Sequence, residues 1–193
     1  MNKDLNCIAI RNVCDEDMPA IQAIYAFQVL HGVSSWENEP PSLKEMVKRK
    51  EAINQSGFPY RVAVRGNEVL GYAYASAYRN RPAYRYTVES SIYLADSVQR
   101  TGLGQRLLKD LIVACTALGF RQMIAVVGDS GNTMSIDFHK KMGFEQVGLI
   151  KSIGYKFNGW LDSVVLQLTL GEGDASPPKG AAQAIANAPS KEA

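Results

Sequence analysis

Residues Gln99-Arg100-Thr101-Gly102-Leu103-Gly104 join a stretch rich in β-branched and aromatic side chains, 86–94, to a helical stretch that begins at Gly104. This junction narrows the possible folds more than any other feature of the chain. The residues before it read as a strand. The helix runs to about Leu118 with Gly119 as its stop, and the apolar run 122–127 reads as a second, buried strand. Two such strands joined through a helix most simply form a parallel pair with a right-handed crossover, and hence an α/β fold on a mixed sheet. The junction also has a chemical meaning. Amides at a helix start point outward together with the positive end of the helix dipole. Gly102 and Gly104 allow positive φ and leave no Cβ in the way of a ligand, so an anion such as a pyrophosphate suits the spot. It is not a Walker loop, because no Gly-Lys-Ser/Thr ends it, and its glycines lack the spacing of a dinucleotide fingerprint. A tight turn with two convenient glycines is the competing reading.

The rest of the chain supplies elements to surround that pair. Residues 7–11 alternate as a short opening strand. Asp15, Glu16 and Asp17 favour a helix start through the dipole, with Pro19 tolerated in its first turn. Met18, Ile21, Ile24 and Tyr25 then form one buried face of a helix reaching about Leu30. Residues 31–41 break the period and end in two prolines, which marks a loop. Ser42-x-x-Glu45 has the form of a capping box for a helix over 43–55. Strands at 60–65 and 68–76 meet at Gly66-Asn67 as an antiparallel hairpin. A helix over 132–142 closed by Gly143, then strands near 144–152 and 160–170, complete one domain spanning 1–170. From 171 to 193 the composition turns to Ala, Pro, Gly, Ser and Lys, which predicts a mobile tail.

Composition excludes several classes. With 193 residues, 46% hydrophobic and 21% charged, the chain can bury one substantial core. A net charge of +2 is too mild for nucleic-acid binding. Residues 1–10 have no signal-peptide core, and the longest uncharged apolar stretch, 111–120, is about half a membrane span, so no membrane association and a cytoplasmic location are expected. Cys7, Cys14 and Cys115 are odd in number and lack ligand spacing, and His31 and His139 are the only histidines. Reduced thiols and no metal are the expectation.

Further motifs stand in register with the glycine junction. They are Thr87-Val88-Glu89-Ser90, then Asn132-x-x-Ser135-x-x-x-His139, then Gly154-Tyr155-Lys156 through Trp160-Leu161-Asp162. Together with Gln-x-x-Gly-x-Gly they resemble the acetyl-CoA site of the GNAT superfamily of N-acetyltransferases, and more narrowly its phosphinothricin N-acetyltransferase group, from about Ile8 to Leu170. The resemblance implies a GNAT-like mixed, mostly antiparallel central sheet flanked by helices, in the order β-α-α-β-β-β-α-β-α-β-β. It also implies acetyl-CoA as co-substrate and a homodimer with substrate loops near the interface.

Acetyl transfer to an amine needs a held coenzyme, a neutral amine, a stabilised oxygen and a proton for the departing thiolate. Backbone amides of Gly102, Leu103, Gly104 and Gln105, with the turn residues Arg100 and Thr101, are the candidates for the pyrophosphate. The resemblance implies that main-chain groups of Ile92, Tyr93 and Leu94 pair with the pantetheine arm and face the thioester oxygen. Glu89 lies on the same strand a few pleats away, at about 3.3 Å per residue. An α-amine, with a free pKa of about 7.7–8.0, must lose a proton before attack, and Glu89 is the candidate base. A surface or salt-bridged glutamate is the alternative. His139 lies two helical turns after Asn132. In many relatives of the superfamily that position is a tyrosine that protonates the thiolate, and the resemblance gives His139 the same role; a helix histidine satisfied by a neighbouring carboxylate is the plainer reading. Asn132 either bonds the pantetheine or caps its helix.

Residues 78–86 crowd three arginines and three tyrosines before the catalytic strand, which suits a small anion, a solvated loop or a dimer contact. The resemblance places Arg79, Arg81 and Tyr84 at substrate-loop positions and Trp36 at an aromatic position lining the same pocket. Ala26, Leu30, His31 and Glu37 depart from the group's pattern. The expected activity is acetylation of the α-amine of a small acidic amino-acid analogue of the phosphinothricin or methionine sulfoximine type. The alternatives are another small amine or a protein N-terminus as acceptor, and a non-catalytic acyl-CoA-binding sensor. Arginines beside the strand disfavour polycationic acceptors.

Overall fold

The computed structural model describes residues 7–178. In chain order the elements are β1 (Ile8–Asn12), α1 (Met18–His31), α2 (Leu43–Gln55), β2 (Tyr60–Arg65), β3 (Glu68–Ala77), β4 (Thr87–Leu94), α3 (Leu103–Ala117), β5 (Gln122–Gly128), α4 (Thr133–Lys141), β6 (Glu145–Lys156) and β7 (Gly159–Thr169). The strands form one sheet in the order β1-β2-β3-β4-β5-β7-β6. Only β4 and β5 are parallel, joined through α3 as the sequence pattern requires, and the other neighbours are antiparallel.

Strand alternation gives the sheet two apolar faces. Ala73, Ala75, Val88, Met123 and Ala125 pack with Leu103, Leu107, Leu108 and Leu111 of α3. Tyr60, Val62, Val64 and Tyr72 pack with Met18, Ile21, Ile24, Tyr25 and Val29 of α1 and with Met46 of α2. The face expected for α1 is therefore the one it buries.

Local details depart from the sequence reading. Asp17 does not serve the dipole of α1. A short 3-10 turn, Asp15–Asp17, precedes the helix, and the Asp17 carboxylate takes both Arg11 guanidinium nitrogens at 2.7 and 2.8 Å and the Cys14 amide at 2.8 Å. Only half of the capping box forms: Ser42 Oγ accepts from Glu45 N, but the Glu45 carboxylate turns to Arg49 Nε at 3.0 Å. β6 runs past the expected end at 152 through an irregularity near Ile150 to Gly154, and a two-residue turn at Phe157 and Asn158, both with positive φ, closes the hairpin. The expected mobile tail is pinned at its start, because Arg121 donates to Gly173 O, Ser176 Oγ and Pro177 O. Residues 179–193 of that tail lie outside the described residues. Cys7, Cys14 and Cys115 are free thiols, and burial pushes Cys115 up to about 12.

Candidate active site

The parallel pair is short. β4 and β5 run together only from Thr87 beside Gln122 to Ser90 beside Ala125. Beyond that point β4 follows β3 until Leu94 stands opposite Gly71, while β5 follows β7 until Gly128 stands opposite Ser163. The two strands part, and the β5-facing side of 91–94 is left without a strand partner. Ala95 N donates to Leu70 O of the strand preceding β4. Alternation then turns the Tyr93 amide toward β3 as well, and the Ile92 and Leu94 amides into the gap. The gap offers a row of backbone donors and acceptors suited to an extended amide-bearing chain.

At the open end of β4 the chain makes the glycine turn. Arg100 has φ +61 and Gly102 has φ +93, and these left-handed residues bend successive amides around one concavity. Thr101 shapes the bend, its hydroxyl donating to Val98 O at 2.7 Å and accepting from Leu103 N at 3.4 Å. Gly104 is not used for positive φ. It is helical, and a Cβ there would stand 3.3 Å from both Leu94 Cδ1 and Phe138 Cε2, so its missing side chain lets α3 start tight against β4 and α4.

Gap and turn belong to one cleft of about 1060 Å3. Of the residues assigned to the coenzyme from sequence, Ile92, Tyr93, Leu94, Arg100, Gly102, Gly104, Gln105 and Asn132 line it; Thr101 and Leu103 do not, and Leu103 is fully buried. Arg100 and Lys141 contribute cations to the walls, and Asp96, Asp129 and Asp137 contribute carboxylates. Asn132 has its Oδ1 on Ser135 N at 3.3 Å, the capping alternative, while still lining the cleft.

The other expected site residues stand outside the lining. Glu89 is half-buried, opposite Ser76 on β3, on the sheet face it shares with Ser91 and Tyr93 and that α1 and α2 cover. His139 is on the opposite side, on α4, 5% exposed between the edges of Phe138 and Phe144. Its Nδ1 bonds Ser135 O at 2.8 Å. A carbonyl only accepts, so Nδ1 carries the proton and the neutral ring keeps its lone pair on Nε2. Desolvation holds the imidazole pKa below its ordinary value. The partner of this histidine is a carbonyl one turn back, not the carboxylate considered from sequence. In the loop between β3 and β4, the Arg79 guanidinium lies over the rings of Tyr78 and Tyr84, at 5.3 and 5.9 Å. Arg81 and Tyr84 are exposed at a short 3-10 turn, Pro82–Tyr84. Trp36 fits against two glycines: a Cβ at Gly154 would come within 2.5 Å of its ring, and one at Gly128 within 2.5 Å of its Nε1.

Comparison with known proteins decides what family builds such a cleft. Residues 10–165 match the family model described as an acetyltransferase (GNAT) domain. The chain belongs to the GNAT acetyltransferase family. It is 47% identical over 170 residues to a phosphinothricin N-acetyltransferase of Alcaligenes faecalis, covering 88% of this chain and 86% of the relative. It is 36% identical over 170 residues to an L-methionine sulfoximine/L-methionine sulfone acetyltransferase of Pseudomonas aeruginosa, covering 88% and 98%. The crystal structure of a GNAT phosphinothricin acetyltransferase from Sinorhizobium meliloti in complex with AcCoA superposes with a TM-score of 0.89 at 44% identity, over 95% of this chain and all of that one.

The GNAT cleft has a wall built from the end of the first helix and the start of the loop after it, residues to which the sequence reading gave no coenzyme role. Phe27, Gln28 and His31 at the end of α1, followed by Gly32, Val33 and Ser34, line it alongside Ile92–Leu94. Met134 and Phe138 close it from α4. Helical spacing assigns Phe27 and His31 to neighbouring turns of α1, and their rings lie 4.7 Å apart. The helix expected to end at about Leu30 runs one residue further, and that extra residue brings His31 onto the face of Phe27.

Proposed function

We propose that this GNAT enzyme moves an acetyl group from acetyl-CoA to the α-amine of a small acidic amino-acid analogue of the phosphinothricin or methionine sulfoximine type. The observation that carries the reading is the parting of β4 from β5 beyond Ser90, with the glycine turn at the end of the gap. Acetyl-CoA supplies an activated acyl thioester. The amides around Gly102, Gly104 and Gln105, with the Arg100 side chain, hold its diphosphate, and Thr101 keeps the turn in shape by taking the Leu103 amide on its hydroxyl. Ile92 and Leu94 present their amides to the pantetheine and to the thioester oxygen as charge builds on it. Tyr93, whose own amide and carbonyl face β3, contributes only its place in the lining, and Asn132 a side-chain amide.

Glu89 takes the proton of the acceptor ammonium, directly or through one water, from the face opposite α4. His139 is neutral at rest; its Nε2 takes the second proton, shed by the attacking nitrogen once the C–N bond has formed, and passes it to the sulfur as the C–S bond breaks. Arg79 and Arg81 give paired hydrogen bonds to the acceptor's acidic groups, with Tyr84 and Trp36 walling its aliphatic part. The names of the A. faecalis and P. aeruginosa relatives support this acceptor class. The reading extends to a homodimer in the cytoplasm that needs no metal. No helix among the described residues is long and apolar enough to cross a membrane.

A thiol-release screen with acetyl-CoA over free amino acids, their phosphinate and sulfoximine analogues, other small amines and N-terminal peptides tests the proposal. Turnover is expected with phosphinothricin or methionine sulfoximine. Turnover confined to other amines would overturn the acceptor class, and coenzyme binding without thiol release on any amine would favour a sensor.

A further inference from the structure

Lys156 ends β6 with its side chain pointing into the protein, 6% exposed. Its ammonium is held by carbonyls rather than by a carboxylate: Nζ donates to Ser35 O at 2.7 Å and to Gly32 O at 3.0 Å. It also lies 4.8 Å from the centre of the Phe157 ring. A buried cation is costly unless its donors are met, so the loop that supplies these carbonyls is bound to the cation as firmly as the cation is to the loop. That loop carries Gly32, Val33 and Ser34, the cleft wall alongside Ile92–Leu94.

The same loop meets the hairpin a second time. Trp36 fills the space that Gly128 and Gly154 leave open, with no room for a Cβ at either position. On its other side the loop is tied to the helices, through Tyr25 Oη to Ser35 Oγ at 2.8 Å and Glu37 to Arg49 at 2.6 Å. Lys156 is therefore the charged member of a clamp joining the β6–β7 hairpin to the wall of the cleft. We infer that Lys156 is a positioning residue, whose hydrogen bonds to Gly32 O and Ser35 O set the cleft wall where the coenzyme is held. This rests on the coenzyme reading of the cleft.

The test uses the full chain with Trp160→Phe, which leaves Trp36 as the only tryptophan. Lys156→Met removes the two hydrogen bonds while keeping the stem, and Gly154→Ala displaces Trp36 from the same clamp with the ammonium intact. Each is followed by Trp36 emission, by acrylamide quenching and by calorimetric titration with acetyl-CoA. Both variants are expected to shift Trp36 emission to the red, to raise its quenching and to weaken coenzyme binding about tenfold. Lys156→Met that lowers the melting temperature but leaves Trp36 emission and coenzyme affinity at the parent's values would overturn the inference, since that is what a purely structural lysine gives. If Lys156→Met does not fold, Lys156→Gln, whose shorter side chain falls short of Gly32 O and Ser35 O, decides in its place: Trp36 emission and coenzyme affinity both at the parent's values overturn the inference. A parent that binds no acetyl-CoA would instead remove the coenzyme reading, and Trp36 emission would still report whether the clamp holds the loop.

Discussion

At the scale of single residues, three titratable side chains make distinct demands. His139 has a pKa lowered by desolvation, so the folded protein prefers it neutral. Below its ordinary value of 6.5 the unfolded chain binds more protons than the folded one, and stability that is complete above that pH falls as the pH drops. His139→Phe, which keeps an aromatic ring between Phe138 and Phe144, is expected to flatten that acid-side loss in calorimetric scans between about pH 7 and pH 5, and to cut turnover about tenfold or more. Asp17 has the opposite origin. The Arg11 guanidinium holds its carboxyl at about 2, below the usual 3.8. Its contribution is present above pH 3.8 and is lost as the pH falls toward 2. Asp17→Asn is expected to lower stability by about 1–2 kcal/mol at neutral pH in urea titrations, with the two proteins converging near the acid end. Glu89→Gln is expected to reduce turnover at least about tenfold while acetyl-CoA affinity by calorimetry stays at the parent value. Turnover unchanged in that variant would take Glu89 out of the mechanism.

At the scale of elements, the start of α3 holds two glycines with different physical jobs. Gly102 is left-handed at φ +93, so Gly102→Ala is expected to cost about 1 kcal/mol of stability and to turn an amide away from the concavity. Gly104→Ala meets side-chain tips of Leu94 and Phe138 at 3.3 Å, which have to move, so the strand edge shifts rather than the turn. Calorimetry with acetyl-CoA, paired with thermal melting, separates them: the first variant is expected to lose more coenzyme affinity per degree of melting temperature than the second. The junction was legible in sequence because strand, turn and helix are local patterns, each set by residues a few positions apart. The gap beside it was not, because it depends on where two strands stop pairing. The cleft wall after α1 was invisible for a related reason. Its positions are fixed by Lys156, Gly154 and Gly128, about a hundred residues or more away in the chain, and nothing periodic marks residues 31–41. The end of β6 was expected near 152, short of Lys156, because the register slips between Ile150 and Gly154, where Ser152 has positive φ, and the alternation that marks a strand breaks there.

At the scale of the whole molecule, none of the described residues covers the far end of the sheet. β6 is an edge strand exposed along nearly all its length, yet it carries Val147, Leu149, Ile150, Ile153 and Tyr155, and Trp160 beside them is 67% exposed. An apolar edge strand open to water is a pairing hazard unless something covers it. A second copy of the chain meets that need with one self-complementary contact, and a stable one buries about 1,200–2,000 Å2 in total. The hairpin also carries Lys156 and Gly154, so a dimer contact here would stiffen the element that holds the cleft wall. Sedimentation velocity is expected to give a dimer for the parent and a monomer for the Ile153→Glu, Trp160→Glu double variant, since a charge at each site must be desolvated to remain in the contact. A parent that sediments as a monomer at all concentrations would leave the apolar edge unexplained and end the dimer reading. A variant that stays dimeric would move the interface off this hairpin and onto another surface, with the arginine and tyrosine loop at 78–86 the next to test.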